Sequence, residues 1–139
     1  MRPFEQLRVI DATHVLAGPF AAHQLAVMGA DVIKIDRPGE PDQVRLQGPD
    51  AELSAAEMGT TYLAQGADKR SAALDLKTPG GQEALRALLR DADVFVENYR
   101  PGALASLGLG YDEIARINPR LVYCSVSAFG QDGPRGPET

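Results

Sequence analysis

The sequence predicts an α/β domain with an open, mostly parallel sheet flanked by helices. Three observations carry this. Short runs rich in β-branched residues recur, as in Asp31-Val32-Ile33-Lys34-Ile35-Asp36. Between them lie stretches with apolar residues at helical spacing. The two kinds alternate along the chain, the pattern of parallel strands joined by right-handed helical crossovers.

The elements follow in order. Residues 7–11 (Leu-Arg-Val-Ile-Asp) form a short strand and residues 31–36 a second. Between them, residues 19–29 place Ala21, Leu25 and Met28 at i, i+4, i+7. Pro19 suits the first helical position and Gly29 the helix end. Residues 71–76 are a third strand. Thr78 caps the next helix with Pro79 at its first position, and Leu85, Leu88 and Leu89 form its apolar stripe. Residues 93–97 are a strand whose Val94, Phe95 and Val96 suit burial on both faces. Residues 111–118 are a short helix with Ile114 and Ile117 inward, stopped by Pro119. Residues 121–127 are the last strand, where Cys124 is expected to be small and buried. Residues 37–59 are rich in Pro, Gly and acids and read as a long loop, a feature often functional. Residues 130–139 have no periodicity, so the chain reads as one α/β domain over 1–139, truncated in mid-fold at its C-terminus. Gly108-x-Gly110 reads as turn geometry.

Composition narrows the function. The 139 residues are 44% apolar and 24% charged, enough for one domain with a core. The net charge of −5 argues against a nucleic-acid partner, which needs a basic face. No apolar run approaches the roughly 20 residues of a membrane span, and no secretory leader is apparent. With the one cysteine, these features point to the cytoplasm. One cysteine and two histidines make no zinc site of the usual spacing, so no metal is expected.

Open parallel sheets bind ligands beyond the carboxyl ends of their strands. Thr13 to Pro19 follow the first strand, Arg37 the second, Lys77 the third, and Asn98-Tyr99-Arg100 the fourth. Free backbone N–H groups at a helix start and the cations Arg37, Lys77 and Arg100 suit a phosphorylated ligand. The glycine-rich dinucleotide and phosphate-loop motifs are absent, as is a nucleophile elbow. By themselves these residues indicate a phosphate-binding α/β domain of unspecified chemistry. Taken singly, His23 reads as solvated, Asp36 as a strand-end acid, and Lys69-Arg70 as either a solvated pair or part of a site.

Longer motifs say more. Arg8-Val9-Ile10-Asp11-Ala12-Thr13-His14-Val15-Leu16-Ala17-Gly18-Pro19 resembles the opening of family III CoA-transferases, and so does Gly29-Ala30-Asp31-Val32-Ile33-Lys34-Ile35-Asp36-Arg37-Pro38-Gly39. Leu74-Asp75-Leu76-Lys77-Thr78-Pro79, Val96-Glu97-Asn98-Tyr99-Arg100-Pro101-Gly102 and Asn118-Pro119-Arg120-Leu121-Val122-Tyr123 continue the resemblance in order. It implies a Rossmann-like fold, the N-terminal part of the family's large domain, with acyl-CoA and a carboxylic acid as substrates. It implies that His14, Val15, Leu16 and Ala17 line the pantetheine end of coenzyme A. Arg37, Leu74 and Lys77 then surround the adenosine phosphate end, with Asn98, Tyr99 and Arg100 nearby. Some members carry a cation where Ser106 stands.

In the family a carboxylate, usually an Asp beyond the Gly130–Pro134 loop, attacks the acyl-CoA to give a mixed anhydride and then an enzyme–CoA thioester. No residue of this chain takes that role, so the resemblance implies a chain that binds CoA without turnover. Full-length members are implied to be interlocked homodimers, and the apolar surface covered by the remainder of the fold is expected to be exposed. Two other readings stand. One is the α-methylacyl-CoA racemase, an isomerase on the same scaffold that uses a His–Asp pair. The other is a non-catalytic CoA-binding fragment or subunit.

Overall fold

A computed structural model describes residues 1–136 and 138. Five strands form one sheet in the order β3-β2-β1-β4-β5, and every neighbouring pair is parallel. The strands are β1 Arg8–Ala12, β2 Asp31–Asp36, β3 Lys69–Ala73, β4 Val94–Glu97 and β5 Val122–Ser125. The helices are α1 Ala17–Val27, α2 Ala51–Ala55, α3 Thr60–Gly66, α4 Pro79–Arg90, α5 Ala103–Ser106 and α6 Tyr111–Ile117, with a 3-10 turn at Gln43–Leu46. No helix among the described residues is long and apolar enough to cross a membrane.

Period-two alternation divides the core between the sheet's faces. Ile10, Ile33 and Phe95 pack on one face against Leu85 and Leu89 of α4 and Ile114 of α6. Val9, Val32 and Val96 pack on the other face against Ala22 and Ala26 of α1. The inward face of α1 is therefore Gly18, Ala22 and Ala26, rotated from the expected Ala21-Leu25-Met28 stripe. Small side chains let this helix lie close to the sheet. The helix begins at Ala17, two residues before the proline expected to start it, and Gly29 ends it at φ +109°. The α4 start is as the sequence predicts: Thr78 Oγ1 accepts from the Gly81 amide at 3.1 Å, with Pro79 opening the helix.

Three expectations are corrected. The third strand is Lys69–Ala73, two residues earlier than residues 71–76. Lys69 pairs with Val32 on β2, so the cationic pair starts the strand, and Leu76 enters the core after a turn. Residues 37–59 are not one irregular loop. Asp42 starts the 3-10 turn by accepting from the Val44 amide, and Asp50 caps α2 through the Leu53 amide. Cys124 is exposed, not buried. β5 is an edge strand, and its Val122 and Cys124 lie beside Val94 and Val96 on the face that α1 covers only farther along the sheet. Tyr123, pointing the opposite way, packs edge-on to Phe95 at 5.1 Å. Phe20 of α1 and Val122 are 53% and 61% exposed, so apolar surface is open on both elements.

Candidate functional site

From β1 the chain winds outward through β2 and β3, then returns to build β4 and β5 on the other side. The winding reverses between β1 and β4, the place where an open α/β sheet leaves a crevice for a ligand. A cleft of about 680 Å³ opens there, within the range of small-molecule sites. His14 and Val15 line it from the loop after β1, Arg37 and residues 40–43 from the loop after β2, Leu74 and Lys77 from the segment after β3, and Tyr99 after β4. Ala103, Ser106 and Leu107 close the remaining side.

The loop after β1 is held by side chains from four segments. Asp11 accepts from the Thr13 amide at 3.1 Å. The Lys34 ammonium donates to the Thr13 carbonyl. Asn98 brackets His14: its carboxamide oxygen accepts from the His14 amide and its Nδ2 donates to the His14 carbonyl, both at 2.9 Å. Asp42 Oδ2 accepts from the Val15 amide at 2.9 Å. Val15 stands at φ +71°, a left-handed conformation that strains a β-branched residue by about 1–3 kcal/mol.

Beneath this loop lies a buried set of charges. Lys69 Nζ reaches Asp11 Oδ2 and the Pro19 carbonyl, each at 2.8 Å. Lys34 Nζ lies 3.1 Å from Asp36 Oδ1, and Arg45 donates to Asp36 Oδ2 at 2.9 Å. Arg45 also stacks 3.7 Å from the Tyr62 ring centroid. Lys34 and Arg45 hold the Asp36 carboxyl below its ordinary value despite the opposing effect of burial. Burial pulls the Lys69 ammonium down, with Asp11 opposing. Lys69 is thus an internal brace rather than a solvated charge, whereas Arg70 pairs with Asp31 at the surface. Asp36 is a buried paired acid rather than a free strand-end group.

The structure brings together His14, Val15, Arg37, Leu74, Lys77 and Tyr99 on the cleft wall. His14 packs edge-on to Tyr99 with centroids 5.7 Å apart. Burial and Lys34 lower the His14 imidazole below its ordinary value, with Asp42 opposing. Burial and Glu97 raise the Tyr99 phenol. Arg37 is half-exposed and paired with Glu40. Lys77 is exposed and has no ion-pair partner among the described residues.

The other expected residues stand apart. Asn98 acts on the His14 backbone rather than lining the cleft. Leu16 and Ala17, both exposed, open α1 outside the lining. Arg100 lies on a separate cavity of about 370 Å³ with Glu97, Tyr123 and Ser125. Sequence reasoning missed Glu40 and Asp42, both inside the stretch read as one loop. The signal for Asp42 is its place two residues before the apolar Val44 at a helical start, where Asp caps a turn. No group of three potential metal ligands occurs among the described residues.

The architecture agrees with comparisons to known proteins. The family model of CoA-transferase family III matches residues 4–138. The chain is 44% identical over 134 residues to succinyl-CoA:glutarate CoA-transferase of Mus musculus, covering 96% of this chain and 30% of that protein. It is 45% identical over 132 residues to acetyl-CoA:oxalate CoA-transferase of Acetobacter aceti, covering 95% of this chain and 33% of that protein. Among solved structures, a CAIB/BAIF family protein from Brucella suis superposes with a TM-score of 0.84 at 39% identity, over 97% of this chain and 36% of that one. The hypothetical protein Rv3272 from Mycobacterium tuberculosis gives 0.87 at 36% identity, over 99% and 37%. The chain therefore spans about a third of the length of the relatives it matches. With the family model matched over residues 4–138 and its five-stranded parallel sheet shared with a solved CAIB/BAIF family protein, this chain belongs to CoA-transferase family III.

Proposed function

We propose that this chain is the CoA-binding portion of an enzyme that moves CoA from an acyl-CoA to a carboxylic acid. The observation that carries the reading is the cleft between β1 and β4, where Arg37 and Lys77 bring two cations to the same rim as the apolar Leu74. Arg37 forks onto phosphate oxygens once it leaves Glu40, Lys77 supplies a point charge, and Leu74 offers the adenine an apolar wall. His14 and Val15, on the wall of the same cleft, are proposed to line the pantetheine arm. A neutral His14 there presents one donor and one acceptor without adding charge.

The named relatives transfer CoA to glutarate or oxalate. A short dicarboxylic acid is accordingly the acceptor class proposed for the whole enzyme. The resemblance supplies the chemistry: a carboxylate attacks the thioester carbonyl and CoA thiolate leaves. The thiolate attacks the enzyme-side carbonyl of the anhydride and expels the donor acid. The acceptor acid then takes CoA from the enzyme–CoA thioester through a second anhydride by the same two steps in reverse, which frees the enzyme carboxylate. The resemblance puts that carboxylate beyond the Gly130–Pro134 loop rather than on this cleft wall, so the chain is proposed to bind CoA and not to turn it over.

Calorimetric titration of the chain with CoA tests this. Binding is expected, and Arg37→Ala and Lys77→Ala are each expected to weaken it by about 10- to 100-fold, the worth of one charge-assisted hydrogen bond. No binding, or binding indifferent to both changes, removes the reading. Incubation with succinyl-CoA and glutarate is expected to yield no glutaryl-CoA, and steady turnover would refute the claim that the chain lacks the nucleophile.

A further inference from the structure

We infer that Asp42 is a positioning residue for the CoA cleft, acting by holding Val15 in its left-handed conformation. The inference rests on the CoA-binding reading above and names how the cleft wall is set. Val15 is a lining residue with φ +71°, a region that a β-branched side chain avoids and that glycine enters freely. Nothing in its own side chain favours this conformation. Its amide is bound by Asp42 Oδ2 at 2.9 Å. That carboxylate is only 2% exposed, and its second oxygen accepts from the Val44 amide at 3.2 Å. One buried acid thus joins two segments, the loop after β1 and the 3-10 turn after β2.

The flanking groups fix the neighbours of Val15 but not Val15 itself. Asn98 holds both backbone groups of His14. Lys34 holds the Thr13 carbonyl. Asp42 makes the one side-chain hydrogen bond to the Val15 backbone among the described residues. Loss of that acceptor frees Val15 to relax to negative φ, which moves its side chain from its place on the cleft wall. Asp42 touches no reacting atom in this scheme. It works through the backbone of Val15.

A double-mutant cycle separates this role from simple loss of fold. CoA affinity is measured calorimetrically for the whole chain, for Asp42→Ala, for Val15→Gly, and for both together. Asp42→Ala is expected to weaken CoA binding about tenfold in the native background. In the Val15→Gly background the expected loss is less than about twofold, because a glycine holds positive φ unaided. Asp42→Asn keeps an acceptor for only one of the two amides that Asp42 serves, so with its oxygen on the Val15 amide it is expected to weaken binding less than Asp42→Ala does. Equal losses from Asp42→Ala in both backgrounds would overturn the inference, as would no loss in the native one.

A ligand-free measurement keeps the inference testable if the chain binds no CoA. In amide hydrogen exchange, the Val15 amide is expected to be protected in the native chain. It is expected to exchange at least about tenfold faster in Asp42→Ala, while the His14 amide, held by Asn98, stays protected. An unprotected Val15 amide in the native chain refutes the positioning role independently of CoA. Failure of CoA binding with a protected Val15 amide refutes the functional reading alone.

Discussion

Replacing Lys69 by methionine isolates the most deeply buried ion pair beneath the cleft. The change keeps most of the aliphatic stem and removes the ammonium. In the native chain that ammonium lies 2.8 Å from Asp11 Oδ2, with the two side chains 3% and 0% exposed. At an effective dielectric constant of about 20, unit charges at that separation attract by about 6 kcal/mol before desolvation is counted. Burying both groups offsets much of this, so the pair itself contributes little net stability. Breaking it costs far more, because Asp11 is left charged in a dry site with only Thr13 as a donor. The expected loss is about 3–5 kcal/mol, a large share of the roughly 5–15 kcal/mol that holds a typical domain together. Urea denaturation followed by circular dichroism reads it as a fall in midpoint of about 2 M for a slope near 2 kcal/mol per molar. Beside Asp11→Asn, the same Lys69→Met change is expected to cost less than about 1 kcal/mol, since no carboxylate is then stranded. A single-mutant cost below about 1 kcal/mol, or an equal cost in both backgrounds, would refute the reasoning.

Other perturbations probe the site. Glu40→Gln releases Arg37 from its exposed pair and removes a negative charge from the cleft rim, so CoA affinity is expected to rise by up to about fivefold at low salt. A fall in calorimetric affinity would show that Glu40 orients Arg37 instead. The His14 imidazole is held below its ordinary 6.5 in the folded chain, so the unfolded chain takes up the proton first as pH falls from there. Stability from this group is complete above about pH 6.5 and is lost on acidification through the folded-state value. His14→Asn is expected to flatten that part of the profile in urea melts at about pH 7.5 and 5.5, and parallel profiles would contradict it. Gly18→Ala drives a Cβ into the buried Thr13 side chain, so it is expected to destabilise the fold by about 1–3 kcal/mol in the same melts. An unchanged midpoint would mean that α1 does not lie this close to the β1 loop.

The apolar runs suffice to place four of the five strands: β1, β2 and β4 lie inside the sheet and carry nearly continuous apolar runs, and β5 carries Leu121-Val122-Tyr123-Cys124 although one of its faces is open. The fifth shows where that signal ends. β3 is an edge strand with the burial pattern of a half-exposed segment, and its first residues are Lys69 and Arg70. Charge at that point reads as surface until β2 is seen alongside. Cys124 departs from expectation for the complementary reason. Small apolar residues in a strand read as interior, but β5 lies at the other edge, where one face has no helix over it. Edge position is a property of the assembled sheet and leaves little mark on a five-residue window.

Local pattern alone establishes the α/β class, the α4 cap at Thr78 and, through the longer motifs, the family and the ligand expected of it. It also puts Arg37, Lys77 and Tyr99 after their strands, since a strand's end is written in its own residues, whereas Leu74, expected inside the third strand, follows it only because that strand ends at Ala73. Which of these share a cleft emerges only on folding. Arg100 follows Tyr99 directly yet opens onto another cavity, and Asn98 precedes it yet binds backbone 84 residues away. Asp42 reads as one acid in a loop until the fold brings it to the Val15 amide. Contacts between segments distant in sequence depend on how the sheet winds and reverses, and that order is set by packing of the whole domain rather than by any stretch of it.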